Sequence, residues 1–180
     1  MYPFFRLFKD MRAARRMPRM GIFDTHVSHH RCMPWDLDMW NELNNGRTLT
    51  LYDLGRIPMA ERMGLLDVLK REKWGLTVAG SVVRYRRRVR GFDKVEVQTR
   101  AIGWDHRFTY IEQSMWKEDG ECSSQIVLRT AITDRNGIVT TDRLAAAMGV
   151  DMTTAPTLPD WVTKWIEAEA ARPWPPHRET

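Results

Sequence analysis

The spacing of apolar residues changes period along this chain. Between Arg47 and Ile57, Leu49, Tyr52 and Ile57 recur at near-helical spacing while Leu51 and Leu54 widen the apolar surface, so the pattern predicts a buried helix. Asn44, Asn45 and Gly46 supply its start. Pro58 is expected to end it, because proline cannot continue a helix but suits the first turn of a second one, here carried through Leu65, Leu66, Val68 and Leu69 to Trp74. Beyond Gly75 the period becomes two. From Thr77 to Arg90 the odd positions Ala79, Val83, Tyr85 and Val89 are mostly apolar. The even ones pass from Val78 and Val82 to Arg84, Arg86, Arg88 and Arg90, so one face of this strand is expected to carry a row of guanidinium groups. Such a row is either a solvated outer face or an edge that binds phosphate in bidentate fashion.

Gly91 to Asp93 reads as a turn, Val95, Val97 and Ala101 mark the next strand, and Arg107 to Lys117 a third. Asp119-Gly120 is a tight hairpin signal. The strand after it alternates, with Cys122, Ile126, Leu128 and Ile132 on one face and Gln125, Arg129 and Thr133 on the other, and Asn136-Gly137 closes it. Short links between successive strands predict a mostly antiparallel meander that wraps the apolar helix, an α+β fold. Thr141 to Met148 is a short helix ended by Gly149, 153 to 159 a linker with two prolines, and a last helix starts at Asp160 with Trp161 and Trp165 on one face.

At 180 residues, 43% hydrophobic and 28% charged, the chain has the composition of one compact domain. It divides into an N-terminal arm (1–21), a main body (22–150) and a C-terminal helix and tail packed on that body (151–180). Cys32 and Cys122 are too few for a disulfide scaffold and lack metal-ligand spacing, so they read as reduced thiols in a cytoplasmic protein. Ile22 to Pro34 is extended, and its His26, His29 and His30 lack an acidic or thiol partner at local ligand spacing, so no metal is expected. No apolar stretch is long enough to span a bilayer, and charges interrupt the segment where a signal peptide would need an apolar run.

The net charge of +5 lies in the arm: residues 1–20 hold six Lys or Arg against Asp10 alone, leaving 22 basic and 22 acidic residues elsewhere. A neutral body argues against a nucleic-acid partner. Phe4, Phe5, Leu7 and Phe8 beside that cationic run fit a short helix drawn to anionic lipid at the inner face of a membrane, or else a basic arm packed on the body.

The chemistry is concentrated at Asp36 and Asp38, just before the helix start. Unpaired N–H groups and the positive dipole end there stabilise an oxyanion on a nearby carbonyl, and a carboxylate within reach can attack that carbonyl or deprotonate a water. The competing reading makes both acids loop or capping residues.

Residues 36–56 resemble the 4-hydroxybenzoyl-CoA and acyl-CoA thioesterase group of the hot-dog fold. That group carries Asp-x-Asp-x-x-Gly-His-x-Asn-Asn, then an acid and an Arg three residues apart on the helix. Asp36, Asp38, Asn44, Asn45, Asp53 and Arg56 fall on those positions, whereas Asn41 replaces the Gly and Glu42 the usual His. Asn44-Asn45-Gly46-Arg47, Gly103 to Arg107 with Tyr110 and Glu112, and Leu158 to Trp161 extend the likeness toward a divergent branch, the thioesterase superfamily member 6 type. The resemblance implies a hot-dog fold that hydrolyses acyl-CoA or acyl carrier protein thioesters without metal or organic cofactor, in a homodimer or dimer of dimers. It implies Asp38 as nucleophile or general base, the Asn45 N–H as oxyanion donor, and Asp53 as the alternative acid, against a plain Asp53–Arg56 salt bridge. Asn44, Arg84, Arg86, Arg88 and Arg107 are its implied substrate contacts. Retained Asp38 favours the enzyme; the Asn41-Glu42 departure, which adds a carboxylate beside Asp38, favours a non-catalytic acyl- or lipid-binding module. A hydratase is weaker, since no His is placed with a helix acid.

Overall fold

A computed structural model describes residues 2–151 and 156–178; part of the 153–159 linker lies outside the described residues. The elements in order are α1 (Phe4–Ala14), β1 (His26–Arg31), a 3-10 turn (Pro34–Asp36), α2 (Asn45–Arg62), α3 (Leu65–Glu72), β2 (Gly75–Tyr85), β3 (Lys94–Trp104), β4 (Thr109–Lys117), β5 (Cys122–Asp134), β6 (Gly137–Val139), α4 (Thr141–Met148) and α5 (Asp160–Ala171). The strands form one antiparallel sheet in the order β1-β3-β4-β5-β2, with β6 paired to β5.

The sheet curls around α2. Leu51, Tyr52, Leu54 and Met59 pack against Val95, Val97, Ala101, Ile111, Met115, Ile126 and Leu128, which are the alternate positions of three successive strands. The closest approach is at Gly55: a Cβ built there would lie 2.9 Å from Thr99 Oγ1 and 3.1 Å from Val97 Cγ1, so only glycine lets the helix sit this deep. The hot-dog expectation holds, and β2 is left as an edge strand with mostly exposed residues.

Three expectations are corrected. Pro58 does not end the helix: α2 runs through it to Arg62, and Gly64, in the left-handed conformation at φ 78°, separates it from α3. Burial of Leu54, Met59 and Ala60 on either side of the proline holds the chain helical despite the missing N–H. The guanidinium row also breaks, because β2 stops at Tyr85 and the N–H groups of Arg86 and Arg87 both donate to the Ser123 carbonyl, at 2.8 and 3.1 Å. Two donors on one acceptor destroy the strict alternation. Thirdly, the outer face of β5 is not wholly polar: Val127 and Ala131 are buried with Ile102, Phe108 and Tyr110 beneath Val162 and Trp165 of α5.

The arm folds as α1 and packs on α2. Arg6 reaches Asp36, Arg15 pairs with Glu61, and Ala14 is buried.

Candidate active site

Asp36 and Asp38 have opposite fates. Asp36 is wholly buried. One of its carboxylate oxygens accepts from Arg6 Nη1 at 2.8 Å and the Met33 N–H at 3.0 Å, and the other from Arg47 Nη2 at 2.7 Å and Nε at 3.0 Å. Burial alone would push its pKa up; the hydrogen bonds from Met33, Arg47 and Arg6 outweigh that and hold it below the ordinary carboxylate range. It is a structural anion that ties α1, the loop and the first turn of α2 together.

Asp38 stands two residues on, in a small hairpin. Its N–H donates to the Glu42 carbonyl at 2.8 Å, and Leu37 faces Leu43 in an isolated bridge. Asp38 Oδ1 accepts the N–H groups of Trp40 and Glu42, at 2.9 and 3.2 Å; Oδ2 has no partner among the described residues. The two departures from the family pattern acquire physical meaning here. Asn41 is left-handed at φ 59°, a conformation that glycine takes freely and that asparagine tolerates better than most residues, so the turn survives the exchange. The Glu42 carboxylate turns to Arg88, 3.0 Å away.

At the helix start Asn44 is the N-cap. Its side-chain oxygen accepts from the Gly46 and Arg47 N–H groups at 2.9 and 3.3 Å, so it shapes the helix end. The Asn45 N–H is left without an acceptor among the described residues, and Asn45 is exposed. Asn45 lines a groove of about 240 Å³ together with Glu42, Tyr85, Arg86, Arg87 and Arg88. Arg87 is paired with Glu121 and Arg88 with Glu42, while Arg84 and Arg86 have no ion-pair partner among the described residues. The segment just past β2 thus brings Arg86, Arg87 and Arg88 to the helix start, although not as a flat row, while Arg84, within β2, does not line the groove.

Arg107 is placed elsewhere. It sits in the β3–β4 turn with its guanidinium 5.4 Å from the Phe108 ring, at the end of the sheet remote from Ser123 and Arg86. Within one chain it does not join the groove.

Asp53 pairs with Arg56 on α2. Burial raises its pKa, opposed by the Arg56 charge and hydrogen bond. Arg56 also borders an apolar cavity of about 80 Å³ lined by Met59, Met63, Leu76, Ile111, Leu144 and Met148 among others. Sequence reasoning missed this cavity, since it is assembled from α2, α3, α4 and four strands; the only local signal was the methionine content of these segments.

His26 and His30 are buried on β1, and His29 is exposed beside Glu96. Burial lowers the pKa of His26 and of His30 to about 4, with the positive charges of Arg62 and Arg6 acting in the same direction. Among the described residues no cluster of three His, Cys, Asp or Glu side chains has metal-binding geometry. Cys32 and Cys122 are free, and burial drives the Cys32 thiol up to about 11. No helix among the described residues is long and apolar enough to cross a membrane.

Protein THEM6 of Danio rerio is 29% identical over 124 residues, covering 68% of this chain and 61% of that protein; the chain therefore spans less than two thirds of that relative's length. Among solved structures, a putative oleoyl thioesterase of Lactobacillus plantarum superposes with a TM-score of 0.65 at 16% identity, covering 76% of this chain and 54% of the other. A hypothetical protein of Staphylococcus aureus, solved in complex with CoA, gives 0.60 at 11% identity, with 80% and 95% covered. These structures share the fold. The profile of the thioesterase-like superfamily matches residues 32–166, from the buried cysteine before the aspartate loop to α5, and the chain belongs to that superfamily.

Proposed function

We propose that the protein hydrolyses acyl-CoA thioesters. The observation that carries this reading is the Asn45 N–H at the start of α2, unpartnered among the described residues, in a groove walled by Arg86, Arg87 and Arg88, with Asp38 across a hairpin from Glu42 on its rim. Asp38 takes a proton from a water, the resulting hydroxide attacks the thioester carbonyl carbon, and the carbonyl oxygen becomes an anion held by the Asn45 N–H and the helix dipole. Collapse breaks the C–S bond; the thiolate leaves and takes up a proton, giving free acid and CoA thiol. The nucleotide phosphates lie on Arg84 and Arg86, which have no ion-pair partner within the described residues.

The acyl chain needs an apolar place, and the cavity borders the other half of α2. A homodimer built by antiparallel pairing of two β2 edges resolves this. Tyr85, at one end of β2, lines the groove, and Leu76, at the other end, lines the cavity. Antiparallel pairing therefore sets the groove of one protomer beside the partner's copy of the cavity.

The test is thiol release from acyl-CoAs of increasing chain length by wild type, Asp38→Asn and Asp53→Asn. Release that Asp38→Asn abolishes supports the assignment. Equal release by wild type and Asp38→Asn at every length removes it, and no release from any substrate removes the enzymatic reading.

A further inference from the structure

The solvent face of α1 is unusual for a helix so firmly attached. Its inner side is fixed by Arg6 to Asp36, by Asp10 facing His30 at 3.7 Å, and by Ala14, which is 2% exposed. The outer side presents Phe5 at 93% exposure and Phe4 and Phe8 at 69% each. At 100° per residue Phe5, Phe8, Lys9 and Arg12 share one face, and Arg16 continues it just beyond the helix. Lys9, Arg12 and Arg16 have no counter-ion among the described residues. An apolar end running into an unpaired cationic stripe matches the two layers of an anionic membrane surface, acyl chains below and charged headgroups above. A soluble partner would have to bury three phenylalanines and neutralise three cations within about 20 Å, from Phe4 to Arg16 just past the helix.

We propose that this face docks the protein on an anionic lipid surface, the N-terminal end of α1 tipped into the interface so that Phe5 and Phe8 insert and Lys9, Arg12 and Arg16, further along the same face, meet headgroup phosphates. The Arg6–Asp36 ion pair sets α1 beside the loop that carries Asp38, so docking holds that loop near the bilayer, where long-chain acyl thioesters partition. The proposal goes beyond the catalytic reading and does not need it.

Co-sedimentation of the full chain with phosphatidylcholine vesicles, with and without phosphatidylglycerol, tests it. Binding is expected only with phosphatidylglycerol, weakening as salt rises. It should weaken about 10-fold or more in Phe5→Ser/Phe8→Ser and less in Arg12→Gln/Arg16→Gln, with the melting temperature unchanged, while Phe5→Trp binds like wild type. Absence of binding, binding indifferent to the phenylalanine substitutions, or equal binding to neutral vesicles at all salt concentrations overturns it. So does a fall in solution mass on the phenylalanine substitutions, which would assign the face to a second copy of this chain. Vesicle binding is read without substrate, so loss of thiol release with binding intact would strike the catalytic reading alone.

Discussion

The two halves of α2 treat charge in contrary ways. At its start, backbone N–H groups, Asp36, Arg6, Arg47 and three further arginines make a polar end in which the wholly buried anion is balanced by two guanidiniums. About four turns on, Met59 and, just past the helix, Met63 enclose an apolar cavity with their neighbours, and the Asp53–Arg56 ion pair lies at its border. Both regions hold a carboxylate with catalytic potential. The difference lies in what surrounds each: Asp38 has one oxygen without a partner among the described residues and is bonded through its backbone to Glu42, which lines the groove at the Asn45 N–H, whereas Asp53 is paired with an arginine on its own helix. On the proposed reading, a dipole end suits the charge that develops on a thioester carbonyl, and an apolar wall suits an acyl chain.

The sharpest way to break this contrast is to exchange the acids for amides. Asp38→Asn should lower kcat about 10²- to 10⁴-fold in thiol-release assays, and Asp53→Asn less than about 10-fold. The reverse order would move the chemistry to the cavity end. Next in size is Asp36→Asn, which leaves Arg6 and Arg47 without their shared anion and should cost about 3–5 kcal/mol in urea unfolding. A cost below about 1 kcal/mol would show that the polar end does not depend on that anion.

Acid should weaken β1 at both of its ends, at His30 facing Asp10 of α1 and at His26 against Arg62, where α2 finishes. His26 and His30 have folded pKa values near 4, below the unfolded value near 6.5, so unfolding takes up protons and their contribution, complete above about pH 6.5, declines as pH falls toward 4. The loss is on the order of 2–3 kcal/mol per histidine, and His30→Gln should flatten the urea-midpoint profile over that window. Asp36, with its pKa depressed, adds its own loss only below the ordinary carboxylate value.

Smaller effects separate the ends by substrate. Ala145→Leu, which intrudes on the cavity lining, should reduce kcat/KM for long acyl chains about 10-fold relative to short ones. Arg86→Ala should raise KM about 3- to 5-fold for every chain length, more at low salt, without changing kcat. Chain-length dependence in the arginine variant would mix the proposed roles of the two regions.

The elements legible in the sequence were those with local causes. The period-two run of β5, the Asp119-Gly120 turn and the Asn44 cap each rest on neighbours within a few residues. Pro58 misled because the local rule lost to burial on both sides of it. The arginine row misled because the break at Tyr85 is imposed by Ser123, 38 positions away along the chain. Asp36 and Asp38 look alike in sequence, and what separates them is Arg6, supplied by an arm whose docking no local pattern encodes. The cavity and the second core under α5 were invisible for the same reason, being built from segments that meet only in the folded sheet.

The ion triad at Asp36 also bears on the order of assembly. Arg6, Asp36 and Arg47 span 42 residues of chain, and their contacts bridge separations of 30 and 11. The β2–β5 ladder joins Gly75 to Thr133 across 58 positions, so closing the sheet costs more loop entropy than setting the loop that carries Asp38. During synthesis the residues of that loop and its clamp leave the ribosome before any of β2 to β5, and a nascent chain about 50 residues out already carries all three members of the triad.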